Sequence, residues 1–266
     1  MQLPSMPAGL YAEPWPPVLA TRGPGSLRTL HAHHAMHFVL ALGGELKVRT
    51  GRRGRWTTAA GVFTAPDSPH AVDSRGVEMM VIFFDPESDV GDALRPGLEG
   101  TARLITAAER NELVRGVEDP RSFVGAGIDA WAGRAAAILG IPPRQPTRFL
   151  HPGIRRLLER LRTTGLEDDT SLERLAKEVD LSPGRLMHVF TESVGIPLRP
   201  YLAWLRVQRA ACAILSGASF TEAAHMAGFS DAPHMARTFR RRLGIAPSEL
   251  RPVVCSHSDR TPSKLA

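Results

Sequence analysis

The sequence predicts an α+β chain: a β-rich N-terminal domain of sandwich or barrel type, then an all-α domain with two helix-turn-helix units. Three observations predict it. Short apolar runs between Gly- and Pro-rich turns fill the region from Ser26 to Phe84. From Arg103 the apolar spacing becomes helical, and Gly140 to Pro146 (GIPPRQP) reads as a linker between two helical portions. Beyond that linker the chain repeats itself at an offset of 48, then 49, residues.

The strand signals are HFVLAL (37–42), ELKVRT (45–50) and the run from Val77 to Phe84. Gly43-Gly44, Gly51 to Gly54 and Pro66 to Pro69 separate them, and strands this short suit a small sandwich or barrel. Helices are expected over Ala102–Val114 and Ile128–Leu139, then almost continuously from the linker to Leu250, with seven in the last domain. Residues Pro252 to Ala266 are polar and without period, which predicts a disordered tail.

Composition narrows the class. The 266 residues are 43% hydrophobic, enough for a real core, and two domains suit the length. No apolar run reaches the about 18 residues of a membrane span, and Met1 to Pro17 lacks the charged start and apolar run of a signal peptide. Cys212 and Cys255 are too few for a disulfide framework or a zinc site, so a reducing cytoplasm is expected, with nucleoid association if the chain binds DNA. The net charge is +6, unevenly spread: residues 1–147 carry 15 Lys and Arg against 15 Asp and Glu, residues 148–251 carry 16 against 11, and the tail two against one. The surplus lies in the C-terminal part, the footprint expected for a polyanion. Its dominance by Arg reflects overall composition, since Lys47, Lys177 and Lys264 are the only lysines.

The repeat carries most of the argument. Leu175-Ala176, Val179, Leu181 and Ser182 match Ala223-Ala224, Ala227, Phe229 and Ser230; after one extra residue, Leu186, Phe190, Gly195 and Ile196 match Met235, Phe239, Gly244 and Ile245. Each copy has the chemistry of a short helix, a tight turn and a second helix. Thr170 with Glu173, and Ser219 with Glu222, are expected capping boxes. Ser182-Pro183 suits the start of a second helix, Gly228 a left-handed turn, and Gly195 and Gly244 the helix ends. Small Ala176 and Ala224 let the paired helices cross closely. With Leu186, Val189 and Phe190 facing inward, Arg185, Met187, His188 and Thr191 are left exposed; with Met235, Phe239 and Leu243 inward, His234, Ala236, Arg237, Arg240 and Arg241 are. Such helices fit the major groove of B-DNA. A plain helical bundle is the alternative, and two capped copies in the basic part of the chain argue against it.

On these residues the C-terminal hundred positions resemble the DNA-binding domain of AraC/XylS-type transcription regulators, and GFSDAPHMARTFRRRLGIAPSEL (228–250) is close to that family's signature. The resemblance implies a long helix joining the units, matched by Leu198 to Leu215. At about 1.5 Å per residue that helix is roughly 26 Å long, a spacer able to set two recognition helices near one DNA turn apart. It also implies base-reading positions: His188 in the first unit, flanked by Arg185 and Met187, and Arg237 in the second, flanked by His234 and Ala236. A guanidinium can bond a guanine edge bidentately, which favours Arg237. Gly184 stands where a longer side chain could reach a base, so the first unit is the weaker reader. Arg240 and Arg241 are expected on phosphate. Double-stranded DNA and RNA polymerase are the implied partners, and activation the family's commoner mode.

The second signal is a histidine cluster. His31, His33, His34 and His37 lie within seven residues, and His70 follows in PDSPH (66–70). Alternation along a strand would point His31, His33 and His37 the same way, with His70 across the sheet. HAHHAMHFVLALGG resembles the first motif of a cupin barrel, with His37 where a Glu usually stands; Gly61 and His70 resemble the second, with Ser74 replacing its usual Asn. The resemblance implies a cupin-like β-barrel sensing an effector. His31, His33, His37 and His70 could bind a divalent transition metal, line a metal-free pocket for an organic effector, or hold no ligand.

The expected division is thus a cupin-like effector-sensing domain at 1–95, a helical linker and dimerisation region at 96–147, tandem helix-turn-helix units at 148–251, and a tail at 252–266. An oxygenase or isomerase reading of the histidines is set aside: no acid–base pair accompanies them, and Asp67, Asp73 and Glu78 read as turn and surface residues. An interaction scaffold would require the basic domain to ignore DNA.

Overall fold

A computed structural model describes residues 18–98, 100–117, 122, 126–142, 150–163 and 170–250. The expected tail and most of GIPPRQP lie outside these residues. Eight strands come first: β1 (Val18–Pro24), β2 (Leu27–His31), β3 (Met36–Ala41), β4 (Leu46–Thr50), β5 (Trp56–Ala59), β6 (Gly61–Thr64), β7 (His70–Asp73) and β8 (Glu78–Phe84). Helix α1 (Asp89–Leu94), strand β9 (Ala102–Ile105) and helices α2 (Ala107–Val114) and α3 (Ala126–Ile138) complete the N-terminal half.

The strands do not close into a barrel, which corrects the cupin-like expectation. They form two antiparallel sheets, one ordered β1-β8-β3-β6-β9 and one ordered β2-β7-β4-β5. A barrel needs a continuous ladder around its whole circumference; here no ladder among the described strands joins one sheet to the other, and each keeps two edges. Pro24 and Gly25 mark where the chain leaves one sheet for the other. Gly25 donates to Val77 O at 2.7 Å, and a Cβ there would lie 2.0 Å from Ser74 O, so the crossing requires glycine.

Alternation along β3 divides the N-terminal core. Phe38 and Leu40 face a cluster with Phe63, Met80, Ile82, Phe84 and, from α3, Trp131 and Ala135. Val39 and Ala41 face the space between the sheets with Leu46, Val48, Val62 and Val72. The larger sheet is thus covered by helices on one face and by the smaller sheet on the other. Trp131 keeps its ring nitrogen bonded to Leu113 O at 2.9 Å.

The helix expected over Ala102–Val114 divides. Ala102–Ile105 pairs with β6 as an edge strand, and the helix begins only after Thr106, which forms a capping box with Glu109. Local periodicity cannot register a strand whose partner lies about forty residues away. The region 96–147 is therefore not wholly helical.

Six α-helices, rather than the seven expected, are described in the last domain: α4 (Pro152–Thr163), α5 (Leu172–Glu178), α6 (Pro183–Val194), α7 (Leu198–Leu215), α8 (Phe220–Met226) and α9 (Ala232–Leu243). A 3₁₀ turn at Pro247–Glu249 closes it. The linking helix α7 has the expected bounds. Its Tyr201, Leu202 and Leu205 pack with α4, α5 and α6, while Trp204, Val207, Ala210 and Ala211 pack with α8 and α9.

Candidate functional site

The first helix-turn-helix unit is α5–α6. The cap of α5 is Ser171, which accepts from Arg174 N, and not the expected Thr170–Glu173 box. Ser182 caps α6 by accepting from Arg185 N, with Pro183 following, and Gly195 ends it at φ 91°. The second unit is α8–α9. Ser219 and Glu222 form the expected box, and Gly244 ends α9 at φ 68°. Asp180 takes the left-handed turn (φ 55°) in the position where the second unit has Gly228 (φ 75°). Asp231, the extra turn residue, caps α9 by accepting from His234 N at 2.6 Å, and Ser230 Oγ lies 3.1 Å from His234 Nδ1.

The exposed faces agree with the residue pattern. Arg185, Met187, His188 and Thr191 are exposed on α6, above buried Leu186, Val189 and Phe190. His234, Arg237, Arg240 and Arg241 are exposed on α9 and Ala236 is half-buried, above buried Met235 and Phe239. Two acids border these faces: Glu192 lies 3.9 Å from His188, and Asp231 sits at the start of α9.

A cavity of about 570 Å³ lies between the two halves of the chain. Val39, Val72, Val81 and Phe83 of the sheets line one side, Ala211 and Leu215 of α7 the other, and Leu243 and Ile245 follow from the second unit. His31, His33, His37 and His70 line it as well, all buried. His31 pairs with His70 across β2 and β7, their ring centroids 4.2 Å apart. His33 is not on a strand: it lies in the β2–β3 connection, stacked on Trp204 at 5.4 Å. His37 is the second residue of β3 and bonds Thr64 Oγ1 through Nδ1 at 2.6 Å.

Burial, followed by repulsion from His70, holds the His31 imidazole down at about 3. Burial lowers His33 and His37 further and lowers His70 too, so all four rings are neutral near pH 7. His31, His33 and His70 each present a ring nitrogen within 4.8 Å of the others, and this trio can coordinate a divalent metal ion.

His34 points elsewhere, a separation the sequence did not suggest. Its Nδ1 lies 2.5 Å from Asp67 and its Nε2 2.8 Å from Glu87. Burial opposes the imidazolium, but hydrogen bonds to the two carboxylates outweigh it and raise the group to about 9. Arg162 of α4 extends the network to Asp85 at 3.0 Å and Glu87 at 3.5 Å, and Gln208 of α7 reaches Asp85 at 3.5 Å. Burial pushes Asp85 up to about 6 against the pull of Arg162. This ionic seam binds the N-terminal half to α4 and α7. Asp67, read from sequence as a turn residue, is a turn residue at φ 57° and a partner of His34. The missed signal was Asp85 and Glu87 directly after an apolar strand.

The helix-turn-helix domain family matches residues 175–252. No curated protein matches the chain in sequence. Among solved structures, the chain is similar to ToxT from Vibrio cholerae O395, with 11% identity, a TM-score of 0.57, and coverage of 87% of this chain and 95% of ToxT. It is also similar to unsaturated-fatty-acid-bound ToxT from Vibrio cholerae strain SCE256, at 13% identity and a TM-score of 0.58, covering 89% and 95%. The two halves thus share a known fold with ToxT over almost its whole length. No helix among the described residues is long and apolar enough to cross a membrane.

Proposed function

We propose that the chain is a DNA-binding transcription regulator of AraC/XylS type, controlled by a small molecule or metal held in the cavity between its halves. The observation that carries the reading is the pair of exposed second helices, α6 and α9, set apart by the 18 residues of α7. Arg237 reads a base, with His234 and Ala236 beside it; His188, Arg185 and Met187 form the weaker reading face; Arg240 and Arg241 hold phosphate. The fold shared with ToxT, one structure of which is fatty-acid-bound, supports an effector between sensing and DNA-binding parts. An enzyme reading draws no support, because none of the four cavity histidines is hydrogen-bonded to a carboxylate among the described residues and the C-terminal half has a sufficient task of its own.

The proposed division keeps residues 1–95 as the sensing part, 96–147 as a connecting and dimerising region, and 148–251 as the DNA-binding part. Activation through RNA polymerase follows the family resemblance. Selection of duplexes from random-sequence DNA tests the reading. The expected product is a bipartite motif whose halves lie about 10 base pairs apart; enrichment of no motif would refute it.

A further inference from the structure

We propose that His31, His33 and His70 hold one late first-row divalent metal ion, and that binding it fixes the second helix-turn-helix unit against the sheets. The control of DNA binding in this statement rests on the regulator reading above; the metal site does not.

The ring nitrogens are arranged as ligands. His31 Nδ1 lies 2.7 Å from Thr29 O and His70 Nδ1 lies 2.8 Å from Ser68 O. A carbonyl can only accept, so each Nδ1 carries the proton and each Nε2 keeps its lone pair. Metal-bound histidines are oriented in the same way, by a backbone carbonyl on the other nitrogen. His70 Nε2 is buried without a hydrogen bond, and the buried His33 ring has at most one backbone contact, to Ala35, for its two nitrogens. Buried polar atoms are nearly always partnered, and here they converge: one nitrogen from each of the three rings lies within 4.8 Å of the others. One cation would satisfy one nitrogen of each ring. An all-imidazole set suits zinc, nickel or copper and disfavours magnesium or calcium. Three ligands also leave a fourth position open to water or an anion.

Two of the three ligands rest on the DNA-binding half. His33 stacks on Trp204 of α7. The C-terminal end of α9 lies on β2 beside His31: Thr29 Oγ1 donates to Gly244 O at 3.3 Å, and a Cβ on Gly244 would lie 2.7 Å from His31 Nδ1. Tetrahedral zinc, with bonds of about 2.0–2.1 Å, holds its ligand atoms about 3.4 Å apart. Binding therefore draws the rings together, and His31 cannot shift without altering the seat of Gly244. A ligand that changes this seat favours one arrangement of α9 over others by its differential affinity.

The test uses the full chain, stripped by chelator and titrated with Zn²⁺ or Co²⁺ alone. One equivalent is expected, with the visible absorption of tetrahedral Co²⁺, and at least a tenfold loss of affinity in His33→Ala and in His70→Gln. Binding of less than about 0.1 equivalent to the wild-type chain overturns the site, whether or not the variants fold. Coupling is read without DNA, by amide hydrogen exchange. Metal should slow exchange in β2 and around the end of α9, and Thr29→Val should lose the α9 effect while retaining metal affinity. Full occupancy with unchanged α9 exchange overturns the coupling. Duplexes enriched from random-sequence DNA then separate the two readings: no enriched motif refutes the regulator alone, whereas a motif bound equally with and without metal refutes metal control.

Discussion

Arg162 of α4 lies 3.0 Å from Asp85, the residue that follows β8, and so ties the helix-turn-helix half to the end of the central sheet. The arginine also faces Glu87 at 3.5 Å, and it bonds Tyr201 of α7. Removing it leaves buried Asp85 without its ion-pair partner, while Glu87 keeps His34 at 2.8 Å. Breaking a fully buried pair costs about 3–5 kcal/mol; the Arg162 side chain is 23% exposed, which places Arg162→Ala at the lower end of that range. Urea unfolding of the variant should show the loss, and Arg162→Lys should recover only part of it. An unchanged midpoint would mean that water already screens the seam.

Stability should fall on both sides of about pH 6.5 in the chelated, metal-free protein. His34 is raised to about 9 in the fold. Its stabilisation is complete below the unfolded value of about 6.5 and is lost as pH rises through 9. The lowered histidines act with the opposite sign. His31, held at about 3, stays neutral in the fold while the unfolded chain takes up its proton below about 6.5, so stability falls toward acid. Unfolding free energies measured from pH 4 to 10 check both limbs. His34→Gln should flatten the alkaline limb and leave the acid one.

Arg237→Ala should cost about 1–3 kcal/mol at one base pair and relax the choice there. Equal affinity of wild type and variant for every substitution at that pair would remove the assignment. Arg240→Ala or Arg241→Ala should instead weaken binding to all sequences and lower the salt slope by about one each. Filter binding or fluorescence anisotropy at several salt concentrations separates the two behaviours.

Ser219→Ala removes one half of a reciprocal cap, the Oγ that accepts from Glu222 N at 3.3 Å, and leaves Glu222 accepting from the backbone N–H of residue 219 at 2.9 Å. A loss of about 1 kcal/mol is expected from thermal or urea unfolding. Glu222→Gln keeps the geometry and should cost less.

What the sequence disclosed was what local chemistry decides. Ser182-Pro183, Ser219, Gly195 and Gly244 announced helix ends within a few residues, and the repeat announced that the unit occurs twice. Strand β9 depends on pairing Ile105 with Gly61, and the closure of a barrel depends on pairing between distant edges; neither leaves a mark within a short window. The histidines were visible as a group but not as two groups. His33 and His34 are neighbours in the chain, yet one lines the cavity beside Trp204 and the other meets Asp67 and Glu87, because the connection from β2 to β3 directs them apart. Their roles were set by partners about 30 to 170 residues away, which no spacing rule could supply.

Helix α7 belongs to the cores of both helix-turn-helix units, so on the proposed reading its length would set the spacing of the two half-sites. Leu205 packs in one core and Val207 in the other, two residues apart on the same rod. One base pair inserted between the half-sites would rotate one of them about 34° around the duplex, and the chain has no loose joint within α7 to follow it. Tolerance of operator spacing is therefore a measure of how stiff that rod is, and a single extra base pair should be felt more strongly than a single wrong one.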